Sequence, residues 1–239
     1  VNKSQLGTSG SAKQSSGLGL RDFIAQIEAA DPSSVWKIKD AVSLDHDTSA
    51  MVMELDRQGR SPVLWFDNVT GSPFPVVTNL FGSRARFAAA LNVPESELIE
   101  HLGRKEDRTI DPVLRETGPI HDVVLTGDQV DLGKLPILGH FTEDAGRYIT
   151  SAIVVGKDPT TGVRNASFHR MEVKGPRTLG TSLHSRRHLW SYVNKAEELG
   201  QDTPIAIVIG AHPLFTFGGL WKGAISTDEY AIVGGLMGA

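Results

Sequence analysis

The chain has 239 residues, 40% hydrophobic and 22% charged, an ordinary globular composition with apolar material for one core or two small ones. With 24 Lys and Arg against 28 Asp and Glu, the formal net charge of -4 provides no basic field to hold a polyanion, so nucleic acid is not an expected partner. The absence of cysteine excludes disulfides, thiolate metal sites and a cysteine nucleophile, and fits a reducing compartment.

From Val1 to Gly19 the chain is rich in Gly, Ser, Lys and Gln, and too poor in large apolar groups to offset the entropy of ordering. It is expected to be a flexible tail or an expression remnant. Leu20, Phe23, Ile24 and Ile27 recur at helical spacing, and the helix should end before Asp31-Pro32, because proline disfavours helix in the residue before it. Val35 to Ile38 reads as a short strand, Thr48 to Arg57 as a helix with Met51, Val52 and Leu55 inward, and Val63 to Phe66 as a buried strand. A turn at Gly71-Ser72-Pro73-Phe74-Pro75 follows. Ser83 can cap a helix through Leu91, and Pro94 suits the first turn of another through Leu102. Residues 20–118 thus read as a small α/β domain.

Beyond it, 119–239 has the texture of short strands separated by Gly, Pro and Asp turns: Val123-Val124-Leu125, Tyr148 to Val155, Ala166 to Val173 and Thr178 to Leu183. That spacing suggests a barrel or sandwich. Asp158-Pro159-Thr160-Thr161-Gly162 is a hairpin turn that delivers Asn165 to Arg170 on the return strand. Arg186 to Leu199 reads as an amphipathic helix, Ile205 to Ile209 as an apolar strand, and Glu229 to Leu236 as a further helix. The apolar runs are strand-sized, far short of the roughly 20 residues of a membrane helix, and the N-terminus lacks the features of a secretory signal. A soluble, cytoplasmic protein with no membrane partner is expected.

Strand alternation places Asn165, Ser167 and His169 on one face and Ala166, Phe168 and Arg170 on the other. Taken alone, the segment reads first as a barrel strand with one solvated side. Asn165, His188 and Glu229 could form a mixed N/O ligand set for Mg²⁺ or Mn²⁺, although their spacing matches no regular ligand motif. Arg186 and Arg187 near a helix start oppose the helix dipole, and a bound phosphate there would reverse the sign; two solvated arginines are the plain alternative. Gly210-Ala211-His212-Pro213 with Phe215, Phe217 and Trp221 could wall a flat ring, or form a loop packed on the core. His46, His101, His121, His140 and His184 have no companion pattern and read as surface or structural. No P-loop, dinucleotide fingerprint, zincin motif or nucleophile elbow occurs.

The chain resembles the UbiD family of reversible decarboxylases that use prenylated FMN. The resemblance rests on Gly71 to Pro75 with Asn79-Leu80-Phe81-Gly82-Ser83, Gly146-Arg147-Tyr148-Ile149-Thr150, the Asn165 to Met171 segment, Arg187-His188-Leu189-Trp190, Gly210 to Pro213, and Glu229-Tyr230-Ala231-Ile232-Val233-Gly234, all in family order. It implies an α+β fold in which a small N-terminal α/β domain precedes a flavin-reductase-like split β-barrel, with the family's C-terminal domain absent. By the same resemblance, Asn165, His188 and Glu229 hold Mn²⁺ (or Mg²⁺) against the prenyl-FMN phosphate, with K⁺ nearby. Ser167, Phe168, His169 and Arg170 line the flavin, Arg187 touches it, and Thr150 lies near the ring.

Arg170 also matches the arginine of the family's Glu-Arg-Glu catalytic network, where a fixed cation depresses and orients a glutamate. The two glutamates lie beyond Gly234-Gly235 in family members, so turnover by this chain alone is not expected. The implied reaction is non-oxidative, reversible decarboxylation of an aromatic, heteroaromatic or α,β-unsaturated acid, by enzymes that are usually homo-oligomers. A non-catalytic flavin-binding module and a flavin reductase on the same barrel are the alternatives.

Overall fold

A computed structural model describes residues 19–105, 108–185 and 187–238. The expected tail, apart from Gly19, lies outside the described residues, as does Arg186. Helix α1 (Leu20–Ala30) buries Phe23, Ile24 and Ile27, and the Asp22 carboxylate accepts a bond from the Gly19 N–H at 3.1 Å. Asp31 ends it and caps a 3-10 turn at Pro32–Ser34, accepting from Ser33 N–H at 2.9 Å. The chain then enters β1 (Val35–Ile38), which pairs in parallel with β2 (Val63–Phe66); β3 (Val76–Thr78) adds antiparallel to β2. Between β1 and β2 runs α2 (Asp47–Arg57), whose inward stripe is Thr48, Val52 and Leu55. Met51, expected inward, is 37% exposed, because one face fits Thr48, Val52 and Leu55 at i, i+4 and i+7 and leaves Met51 on the flank.

Helix α3 (Arg84–Leu91) starts at Ser83, whose hydroxyl makes no cap bond, and stops at Asn92 in the left-handed region. Its buried Arg86 reaches back to bind the carbonyls of Leu80, Ser61 and Asn79 at 2.9, 2.6 and 2.9 Å. That guanidinium, with Gly82 pressed against the Asn79 and Ser61 side chains, explains the Asn79 to Ser83 motif as a structural clasp. Pro94 precedes a 3-10 turn at Glu95–Glu97, and α4 (Leu98–Lys105) begins after it, later than expected.

Residues 108–147 carry three short 3-10 turns, at Pro119–His121, Gly127–Gln129 and Leu132–Lys134. The strand expected at Val123 to Leu125 is irregular, with exposures of 67%, 62% and 52%. β-propensity measures fit to a half-buried pleated surface, and no strand pairs with this run among the described residues.

The strand-rich part follows: β4 (Tyr148–Ile149), β5 (Ile153–Lys157), β6 (Arg164–Phe168), β7 (Met171–Gly175), β8 (Thr178–Thr181), α5 (His188–Glu198), β9 (Ile205–Val208), α6 (Pro213–Gly218) and α7 (Glu229–Met237). Two expected long strands are each broken, and their halves join different sheets. Tyr148–Ile149 pairs with β7 in the antiparallel sheet β4-β7-β8, while Ile153–Lys157 pairs with β6 and β9 in the antiparallel sheet β6-β5-β9. The fold is therefore α+β, with three three-stranded sheets among the described residues.

Strand β5 is buried on both faces: Val154 packs toward Leu189 of α5 and Met171, whereas Ile153 and Val155 pack toward Phe215 of α6 and Tyr230 of α7. The aromatic run after His212 belongs to this packing, with Phe215 edge-on to Tyr230 at 5.1 Å and Phe217 to Phe87 at 4.7 Å. Ala88, Leu91 and Leu98 from the first half share a cluster with Leu214, Ile232 and Leu236 from the second.

Helix α7 is buried along most of its length. Gly234 and Gly235 lie in its interior because the extended backbone at Ile110 and Arg108 crosses there, and a Cβ on either glycine would collide with those carbonyls. Ile110 N–H donates to the Ala231 carbonyl at 3.0 Å. An exposed helical Gly→Ala change gains roughly 1 kcal/mol. Gly235→Ala is expected to do the opposite, lowering unfolding stability by about 1–3 kcal/mol through overpacking in chemical denaturation.

Candidate metal and flavin site

Three elements bring their first or second residues to one place. Asn165 is the second residue of β6, His188 opens α5, and Glu229 opens α7. Strand β6 lies at the edge of its sheet, so its outward N–H groups lack a strand partner. Glu229 fills that edge: its Oε2 accepts from Ala166 N–H at 3.1 Å and its Oε1 from the Asn165 amide at 2.8 Å. His188 Nδ1 stands 3.7 Å from the same Oε1. Glu229 is 1% and Asn165 3% exposed. Burial pushes the Glu229 carboxyl above the usual carboxylate range, and the bonds from Ala166 and Asn165 offset only part of that cost.

The expected polar face of β6 holds together as a chain of bonds. Ser167 Oγ donates to Asn165 Oδ1 at 2.8 Å and lies 2.9 Å from His169 Nε2. Burial lowers the His169 pKa first, and the charges of Arg187 and His184 lower it further. On the opposite face, Ala166 and Phe168 enter the apolar cluster with Ile153 and Val155. Arg187 is the exposed N-cap residue of α5, and its side chain makes no cap bond.

Thr150, His169 and Arg170 sit at the two breaks where the chain changes sheets. Arg170 is exposed, with its guanidinium 5.7 Å from the Tyr148 ring centroid. A cavity of about 500 Å³ opens there, walled by Thr150 and Arg170 together with His140 and Tyr148. Asn165, His188 and Glu229 are not part of that wall.

Sequence reasoning did not single out His140, whose ring nitrogens lie 3.4 Å from Ser49 on α2 and 3.4 Å from Thr150. It also passed over two ion pairs beside the cluster. Asp158, in the hairpin turn, meets Lys195 of α5 at 2.5 Å. Arg164 meets Asp228, the N-cap residue of α7, at 2.7 Å. An Asp immediately before a helix is a readable cap signal, but neither partner can be read from sequence spacing.

The cluster gathers an amide, an imidazole and a buried carboxylate, residue types that a hard divalent cation accepts, with the Asn165 amide nitrogen turned to Glu229 and its oxygen to Ser167. Among the described residues no three His, Cys, Asp or Glu side chains gather as a metal group; here the third donor is an amide. No helix of the described residues is long and apolar enough to cross a membrane.

The UbiD 3-octaprenyl-4-hydroxybenzoate carboxy-lyase Rift-related domain matches residues 112–239, and the corresponding N-terminal domain matches residues 34–106. The chain belongs to the UbiD family. It is 34% identical over 213 residues to anhydromevalonate phosphate decarboxylase from Methanothermobacter thermautotrophicus, covering 89% of this chain and 47% of that protein. Phenolic acid decarboxylase from Escherichia coli O157:H7 is 31% identical over 229 residues, covering 91% of this chain and 48% of its own length. Among solved structures, the UbiD-class enzyme HmfF from Pelotomaculum thermopropionicum in complex with FMN aligns with a TM-score of 0.83 at 34% identity, covering 91% of this chain and 48% of that one. The chain spans about half the length of the curated relatives it matches.

The Asp158–Lys195 pair ties the helix that carries His188 to the hairpin that carries Asn165. Burial opposes ionisation of Asp158, but the Lys195 ammonium, the Thr160 hydroxyl and the Thr160 and Thr161 amides outweigh it and hold the carboxyl well below the usual aspartate range. A carboxyl depressed in the folded state contributes stability above its unfolded pKa near 4 and loses it as the pH falls further. Asp158→Asn is therefore expected to cost about 2 kcal/mol at pH 7, with the gap to wild type narrowing below about pH 4 in equilibrium denaturation.

Proposed function

We propose that this chain is the cofactor-anchoring part of a UbiD-type decarboxylase acting on an aromatic, heteroaromatic or α,β-unsaturated carboxylic acid with prenylated FMN. The observation that carries the reading is the convergence of Asn165, His188 and Glu229 from three separate elements on one carboxylate. An evolved dimeric form of HmfF in complex with prFMN aligns at a TM-score of 0.83, and two relatives are named for decarboxylating a phenolic acid and anhydromevalonate phosphate.

Asn165, His188 and Glu229 would hold Mn²⁺ (or Mg²⁺) against the flavin phosphate. Thr150, Ser167, Phe168, His169, Arg170 and Arg187 would face the flavin, and K⁺ would sit close by. Prenylated FMN, when bound, supplies the electron sink that lets the acid lose carbon dioxide. The chain's own share is binding and orientation. Ser167 fixes the Asn165 amide, and the His169 imidazole holds the Ser167 hydroxyl from its other side. Arg170, in the wall of the cavity, would present a fixed cation to the substrate carboxylate or to a catalytic glutamate.

The test loads the chain with prenyl-FMN and Mn²⁺ and compares retention of both in wild type, Asn165→Ala and His188→Ala. Losing an outer-shell partner of a metal costs roughly 10- to 100-fold in affinity, so losing a direct ligand is expected to cost at least that much. Equal retention in all three proteins would overturn the assignment. Assay of the loaded wild-type chain with a panel of aromatic and unsaturated acids separates decarboxylation from cofactor holding.

A further inference from the structure

Arg164 and Asp228 each stand one residue before a member of the buried cluster, Arg164 before Asn165 and Asp228 before Glu229. The two oxygens of Asp228 divide their work: Oδ1 accepts from Tyr230 N–H at 2.9 Å and caps α7, while Oδ2 accepts from Arg164 Nε at 2.7 Å. The Arg164 guanidinium also lies 4.7 Å from the Tyr230 ring centroid. Both charged side chains are largely shielded, with 21% and 24% of their surface exposed.

Successive residues of β6 therefore grip successive residues of α7. Alternate side chains of a strand point to opposite faces, so Arg164 and Asn165 close on the start of α7 from either side of the sheet edge. Between them, Ala166 N–H donates to the Glu229 carboxylate. A sheet edge by itself specifies position weakly, because each free N–H and carbonyl offers an alternative partner. The ion pair removes that freedom: a shift of α7 along β6 would separate Arg164 from Asp228 before Glu229 could find another amide.

We infer that the Arg164–Asp228 pair is a positioning device that sets the placement of the Glu229 carboxylate relative to Asn165 and His188, and so tunes affinity at the metal site. The inference rests on the reading of those three residues as metal ligands. It assigns to Arg164 and Asp228 no contact with metal, flavin or substrate.

Asp228→Asn provides a clean test, since asparagine caps a helix about as well as aspartate and keeps the bond to Tyr230 N–H while losing the charge that holds Arg164. Mn²⁺ titrations of the 239-residue chain in the presence of FMN, read by electron paramagnetic resonance of free Mn²⁺, give the Kd for wild type, Asp228→Asn, Arg164→Met, the double variant and Asn165→Ala. Thermal unfolding is followed in parallel. Either single change is expected to weaken Mn²⁺ binding roughly 10-fold or more, as outer-shell partners do. The double variant should be no worse than the single ones, because members of one interacting unit are non-additive. Thermal midpoints should move by only a few degrees.

If Asn165→Ala loses Mn²⁺ while both single variants keep the wild-type Kd, the pair does not position the site and the inference fails. Loss of thermal stability without change in Kd also overturns it, because that is the signature of a purely structural ion pair. If Asn165→Ala keeps the wild-type Kd, or wild type binds no Mn²⁺, the metal reading itself has failed and the inference falls with it.

Discussion

The Glu229 carboxylate lies almost wholly out of water, where an ionised carboxyl is unfavourable unless strong partners compensate. Its partners here are the Asn165 amide, the Ala166 N–H and, at 3.7 Å, the His188 imidazole, and burial still raises its pKa against all of them. The open edge of β6, the cap of α7 and the start of α5 all converge to present this one group.

The breaks in the strands build a separate cavity. A single strand through 148–155 would have carried Thr150 into the middle of a ladder, as would a single strand through 166–173 for His169 and Arg170. Instead the chain leaves one sheet and joins the other between Ile149 and Ile153, and again between Phe168 and Met171. Side chains at such corners are free of ladder constraints and can face a cavity. Thr150 and Arg170 do so, with His140 anchoring Thr150 to the first half of the chain through Ser49.

The two halves of the chain are joined by packing as well as by these polar contacts. Residues from α3 and α4 share an apolar cluster with residues from α6 and α7, and the Arg108 to Ile110 backbone lies directly on the glycines of α7. The helix that carries Glu229 is thus held at its start by Asp228 and Arg164 and along its body by the crossing backbone. A carboxylate that must meet two side chains from other elements needs this control of both position and direction.

Sequence periodicity alone determined α1, β1, β2, the Asp158 to Gly162 turn and the approximate extents of α5 and α7, because each depends on local spacing, proline and glycine geometry, and one apolar face. Alternation, a local property, also placed Asn165, Ser167 and His169 on one strand face, whereas spacing offered no ligand motif for Asn165, His188 and Glu229, which only the resemblance to the UbiD family drew together. Tertiary structure alone decided that Asn165, His188 and Glu229 meet, that Met51 turns outward, that Val123 to Leu125 forms no strand, and that two apparent strands divide between sheets. Each of those outcomes depends on which distant segment supplies the partner surface. The Gly234-Gly235 pair shows the difference most directly: as sequence it reads only as small residues, and its meaning comes from a backbone more than a hundred residues earlier that leaves no room for a Cβ.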